Sequence, residues 1–182
     1  MPADTPEFWL YGYGEDHRGT PESPGRVVTL VDKSYWDSLT DPHDSAPDKV
    51  WGVAYRIPSD RVDQVKDYLD IREINGYSIH YTPFHPIDGS PPISTLVYIG
   101  TPDNEQFVGP QDPDELARHI LASRGPSGLN KDYLFSLETA LDDLGPGSGE
   151  LHVSDLARRV RLLEQGDTLR ADERASTDTR KA

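Results

Sequence analysis

Cysteine is absent from this 182-residue chain. No disulfide can staple it, and no thiolate can act as a nucleophile or a soft metal ligand. The same absence fits a reducing cytosol, and the expected location is cytoplasmic. Positive charge is also scarce: 18 Lys and Arg stand against 32 Asp and Glu, a net charge of −14. The basic residues form no clustered stripe, and a phosphate backbone is held by such a footprint, so nucleic acid is not an expected partner. No run approaches the roughly 18 apolar residues of a membrane span, and no membrane partner is expected. Residues 1–7 lack the basic-then-apolar order of a secretory signal.

What the chain has in quantity is turn formers. Sixteen Pro and fifteen Gly point to a loop-rich α+β domain rather than a helical bundle. The length suits one domain, expected over residues 8–165, with a flexible insertion over 33–49 and a disordered tail over 166–182. Residues 8–14, 26–31, 50–57, 77–85 and 94–100 are rich in β-branched and aromatic side chains and are expected as strands. Of these, 50–57 reads as the central strand and 94–100 as an interior one. Helical patterning takes over downstream. A helix capped by Asp112 or Asp114 runs to Gly125-Pro126, one capped by Asn130 runs to Leu144, and a third covers 151–163. Strands first and helices later describe a mixed or barrel-like sheet flanked by helices.

One carboxylate stands out. Ser59 is placed to start a helix in which Val62, Val65 and Leu69 share an apolar face, and Gly76 is placed to stop it. Glu73 then falls in the last turn, where unpaired carbonyls oppose a negative charge and raise a carboxyl pKa. A carboxylate so placed is a better base, but an Arg72-Glu73 pair at a helix end is also an ordinary solvated feature. Both readings stay open on pattern alone. The turn at Gly12 and Gly14 allows close backbone approach to a ligand, yet no phosphate loop follows it. His17, His43, His80 and His85 form no helical His pair, so a metal site is not expected. Ser23, Ser34 and Ser38 lack a nucleophile elbow. Asp41, Asp44 and Asp48 lack the calcium-loop spacing and its glycine.

Several blocks taken together resemble the ChaC-type glutathione-specific gamma-glutamylcyclotransferases. They are Tyr11-Gly12-Tyr13-Gly14; Asp16-His17-Arg18-Gly19-Thr20-Pro21 continuing to Pro24-Gly25-Arg26-Val27-Val28-Thr29-Leu30; Val50-Trp51-Gly52-Val53-Ala54-Tyr55-Arg56; and Tyr68-Leu69-Asp70-Ile71-Arg72-Glu73 with Gly76-Tyr77. Tyr98-Ile99-Gly100-Thr101 and Gly125-Pro126-Ser127-Gly128 with Asn130, Tyr133 and Leu134 agree as well. The resemblance covers about 8–145 in order. It implies a small gamma-glutamylcyclotransferase-like β-barrel or mixed sheet flanked by helices, cytosolic, with no metal and no cofactor. It also implies glutathione as substrate, cleaved to 5-oxoproline and cysteinylglycine, with Glu73 as the catalytic carboxylate. Leu10, Tyr11, Gly12, Tyr13 and Gly14 then hold the γ-glutamyl end, and Arg72, Tyr77 and Tyr133 are supporting residues.

The chain departs from the family pattern at one junction. The family continues its glycine turn as Tyr-Gly-Ser-Leu and adds a loop and a strand before Asp-His-Arg-Gly, whereas Gly14 here is followed directly by Glu15-Asp16-His17-Arg18. One sheet strand is therefore expected to be missing, which opens a sheet edge and removes part of the substrate loop. Two function classes follow: a glutathione-degrading cyclotransferase, active or damaged by that loss, or a non-catalytic relic of the fold that binds gamma-glutamyl peptides or a protein partner.

Overall fold

A computed structural model of the chain describes residues 18–40, 43, 49–72, 77–104 and 107–179. The backbone divides into two compact units. One holds the described parts of Val28–Pro42 and Gly52–Pro110, the other those of Asp16–Val27, His43–Trp51 and Gln111–Ala182.

In the first unit, helix α1 (Lys33–Trp36) is a single turn whose cap, Asp32, accepts from the Ser34 N–H at 2.8 Å. Tyr35 packs edge-on against Phe107, with ring centroids 5.5 Å apart. A 3-10 turn, Ser59–Arg61, feeds helix α2 (Val62–Arg72). Strands β1 (Tyr77–Phe84) and β2 (Ile93–Gly100) form an antiparallel hairpin in which Tyr77 faces Gly100 and Phe84 faces Ile93. The connection between them turns at Gly89, whose φ of 79° suits glycine. Gly100 is also the point where 29–31 joins the sheet: its N–H donates to the Leu30 carbonyl at 2.8 Å, and it bridges Val31 in parallel. A Cβ on Gly100 would lie 2.9 Å from Thr29 Oγ1, so the close approach depends on glycine.

The second unit is helical. Helix α3 (Pro113–Ala122) starts on Asp112, whose carboxylate accepts from the Asp114 and Glu115 N–H groups. Short strands β3 (Arg124–Gly125) and β4 (Gly128–Leu129) make a tight hairpin that leads into α4 (Asn130–Asp142). Helix α5 (Leu151–Thr179) follows after a turn closed by buried Ser148, which donates to the Leu141 and Gly145 carbonyls. Val153, Leu156, Ala157 and Val160 recur at helical spacing on α5 and bury one stripe against Ala117 and Ile120 of α3 and Leu134 of α4. That stripe is the core among the described residues.

The α+β class expected from sequence holds, but its barrel does not appear among the described residues, where the strands make two separate two-stranded antiparallel sheets. Residues 26–31 contribute only the Val31 bridge, and 50–57 carry no ladder among the described residues. Tyr55 is 85% exposed there, and β2 is half-buried rather than interior. β-branched composition selects a strand only when a neighbour pairs with it, which explains why these segments read more strongly than they fold. Ser59 is the first residue of the 3-10 turn and not a cap: Pro58 holds that turn's cap position and makes no side-chain cap hydrogen bond. Helix α5 runs to Thr179, well past the end expected at residue 163 and into the stretch read as a disordered tail. Leu169 is the one large apolar residue of 164–179, so an apolar stripe, the signal by which a helix is read from sequence, is missing there.

Removing a core side chain should cost far more than altering the exposed 50–57 segment. Leu156→Ala is expected to destabilise by about 2–5 kcal/mol, against no more than about 0.5 kcal/mol for Tyr55→Ser. Urea unfolding followed by far-UV circular dichroism checks the difference.

Candidate active site

Residues 18–26 are built into the second unit by backbone rather than by apolar packing. Thr20 and Ser23 exchange two N–H···O bonds of 3.0 Å and close a tight turn at Pro21-Glu22. That turn folds Gly19 onto Gly25, both buried. A Cβ on Gly19 would lie 2.1 Å from the Gly25 nitrogen and 2.5 Å from the Ser23 carbonyl, so no other residue fits. His119 of α3 donates from Nε2 to the Pro24 carbonyl at 2.6 Å.

The strongest tie is Asn130, which is fully buried. Its Oδ1 accepts from the Arg26 N–H at 2.6 Å, and its Nδ2 donates to the Arg26 carbonyl at 2.7 Å. One amide thus satisfies both backbone groups of a residue 104 positions away, as a neighbouring strand would. Asn130 was expected to cap α4. The structure gives the cap position to Leu129, with no side-chain cap, because the amide is committed to Arg26. The Asn130 N–H meanwhile donates to the Ser123 carbonyl at 3.0 Å and closes the β3–β4 hairpin. Beside it, Glu164 pairs with Lys131 and holds that ammonium above the usual lysine range.

Arg18 and Tyr133 meet at the other end of this segment. The guanidinium lies 5.5 Å from the Tyr133 ring centroid, and its Nη1 donates to the Leu129 carbonyl at 3.2 Å. Both residues are half-buried. Such an arrangement holds a cation against an aromatic face at the foot of α4.

Glu73, Leu10, Tyr11, Gly12, Tyr13 and Gly14 lie outside the described residues. In the first unit, Arg72 is the last residue of α2, and half-buried Tyr77 is the first of β1. Glu73 follows Arg72 directly in the sequence. In the second unit, Tyr133 is brought to Arg18, a pairing that sequence reasoning missed although both residues sit in blocks that carry the family resemblance. No group of three or more His, Cys, Asp or Glu among the described residues is placed to hold a metal ion.

Residues 7–163 match the model of the ChaC-like protein family. The chain belongs to that family. As a ChaC-like protein it is 42% identical over 165 residues to the glutathione-specific gamma-glutamylcyclotransferase of Schizosaccharomyces pombe, covering 87% of this chain and 79% of the relative. It is 39% identical over 168 residues to the Saccharomyces cerevisiae protein of the same name, covering 74% of this chain and 72% of the relative. Its fold resembles a crystal structure of a gamma-glutamyl cyclotransferase specific to glutathione from yeast, with a TM-score of 0.64 and 32% identity across 81% of this chain and 82% of that one. The α+β architecture is therefore that of the ChaC-like family.

Asn130→Ala strands the Arg26 N–H and carbonyl beside a buried void. The expected loss is about 1–3 kcal/mol, since an unsatisfied buried group keeps its full desolvation cost. Differential scanning calorimetry of the two proteins measures it.

Proposed function

We propose that this ChaC-like protein cleaves glutathione to 5-oxoproline and cysteinylglycine, with Glu73 as acid and base. The observation that carries this reading is 42% identity across 87% of the chain to a relative named for that activity. The matched family range of 7–163 also contains Glu73 and the glycine turn. The reaction asks little of a protein. The substrate's α-amine attacks its own γ-carbonyl carbon, a new C–N bond closes a five-membered lactam, and the amide bond to cysteine breaks. No water is consumed. The protein's task is to fold the γ-glutamyl arm into the attacking pose, which removes entropy before the chemical step.

A proton must leave the α-ammonium and one must reach the departing nitrogen. A single carboxylate serves both steps in turn, and the role falls to Glu73, which follows Arg72 directly in the sequence. Backbone N–H groups of the turn at Gly12 and Gly14 stabilise the oxyanion, and Leu10, Tyr11 and Tyr13 flank the γ-glutamyl end. Neither a metal nor a cofactor takes part, and the reaction runs in the cytosol. All the relatives named above are cyclotransferases, and nothing in the structure favours the non-catalytic alternative.

The direct junction of Gly14 to Glu15 lowers the activity of this chain, because part of the substrate loop and a sheet strand are gone. Glu73→Gln keeps the size and polarity of the side chain and removes its proton chemistry. The variant is expected to melt within a few degrees of the parent and to release 5-oxoproline at least about 100-fold more slowly, the scale of general acid–base catalysis. Unchanged turnover would remove Glu73 from the mechanism. A version of the chain carrying the Tyr-Gly-Ser-Leu loop and following strand of a relative is expected to melt higher and turn over faster. Equal melts and equal rates would show that the junction costs nothing.

A further inference from the structure

We propose that Ser78 is a nucleophile that takes an acyl group from small activated esters, with His80 as its base. Both residues belong to β1 of the first unit, two positions apart, so the pleat sets them on one face. Ser78 is half-buried and His80 exposed. Ser78 Oγ lies 2.6 Å from His80 Nε2. A serine two residues before a histidine carries no signal in a sequence, and only a strand turns that spacing into a contact. Reactivity of this kind goes beyond the cleavage of glutathione.

The Ser78 hydroxyl has one proton and two acceptors in reach: His80 Nε2 at 2.6 Å and the Ile99 carbonyl at 3.4 Å. The shorter contact is the stronger, so the proton points at the imidazole. An imidazole so placed accepts the proton as the oxygen attacks. A carboxylate is also close by. Asp32, the cap of α1, is held below the usual carboxylate range chiefly by the hydroxyl and N–H donors of Ser34, with nearby His80 a lesser cause. It is therefore an anion at neutral pH, and an anion near an imidazole stabilises the imidazolium that forms during attack.

The strand partners supply a floor. Ile99 of β2 stands opposite Ser78, and Val97 stands opposite His80. Cross-strand partners share a face, so the pair rests on two half-buried aliphatic side chains that can underlie an acyl chain. The face is open to solvent at His80, which suits an ester whose leaving group departs readily. Ser78 Oγ bonds to the ester carbonyl carbon as its proton passes to His80 Nε2. The bond from that carbon to the leaving oxygen breaks, and His80 returns the proton to that oxygen. Water then adds to the acyl carbon through the same base, the carboxylic acid leaves, and the Ser78 hydroxyl is restored.

The test exposes the full chain to p-nitrophenyl acetate. Absorbance follows p-nitrophenol release, and peptide mass spectrometry follows acetylation of each serine. Ser78 is expected to gain the acetyl group at least about tenfold faster than Ser90 and Ser94, exposed serines of the same hairpin. His80→Gln is expected to slow the labelling of Ser78 by about 100-fold, the scale of a general base, and to leave that of Ser90 and Ser94 unchanged. Ser78→Ala is expected to remove the first, rapid equivalent of p-nitrophenol.

Labelling of Ser78 in the parent no faster than that of Ser90 and Ser94 overturns the proposal, and this comparison needs no variant to fold. Equal labelling of Ser78 in the parent and in His80→Gln overturns it as well, since the imidazole would then donate to the hydroxyl and the contact would be structural alone. The readout does not pass through glutathione, so a protein that releases no 5-oxoproline tests the inference equally well.

Discussion

A primary amide that is fully buried has four hydrogen-bonding positions to satisfy, and at Asn130 the backbone of Arg26 satisfies one acceptor and one donor position at once. The second unit is arranged around this exchange. The N–H of the same residue closes the β3–β4 hairpin on Ser123, its position starts α4, and its side chain fixes the segment that carries Arg18. Unlike an apolar contact, the pairing has one geometry, and a shift of a single residue in either segment would leave two backbone groups unpaired in a buried place. The loop is thereby as specified as a strand in a ladder.

Beneath that polar tie lies a conventional helical core. The stripe of Val153, Leu156, Ala157 and Val160 on α5 packs on α3 and α4, and Lys131–Glu164 and Arg161–Glu138 join α4 to α5 along its border. Arg161 also lies over the Phe135 ring at 4.6 Å, its stem covering apolar surface that would otherwise meet water. The first unit works differently. Its β1–β2 hairpin exposes Ile79 and Tyr81, and the link at Gly100 to 29–31 rests on one close backbone approach. A two-stranded hairpin is marginal by itself, so side chains on its faces read as places where further packing is required.

How much of this was legible before any coordinates depended on whether the signal was local. The cap at Asp112, the apolar spacing on α3, the start of α5 and the hairpin around Gly89 are local, and each was anticipated within a few residues. The strand assignments for 26–31 and 50–57 failed among the described residues because a strand needs a partner at long range, which composition does not report. Asn130 shows the same limit from the other side. Its position and chemistry suit a helix cap, and only a residue 104 positions away reveals that the amide is otherwise engaged. Family membership was legible because it depends on the order of several short blocks, which the chain preserves through all of its folding.

The sequence by itself determined the α+β class, the helical half and the ChaC-like kinship, since helical spacing, caps and motif order are written along the chain. Only the tertiary structure decided that Asn130 clamps Arg26, that Gly19 rests on Gly25, and that Arg18 meets Tyr133. Those are meetings between residues far apart in sequence. Each is selected by the requirement that buried polar groups and close backbones find a partner of the right shape, and that requirement acts only once the chain has folded.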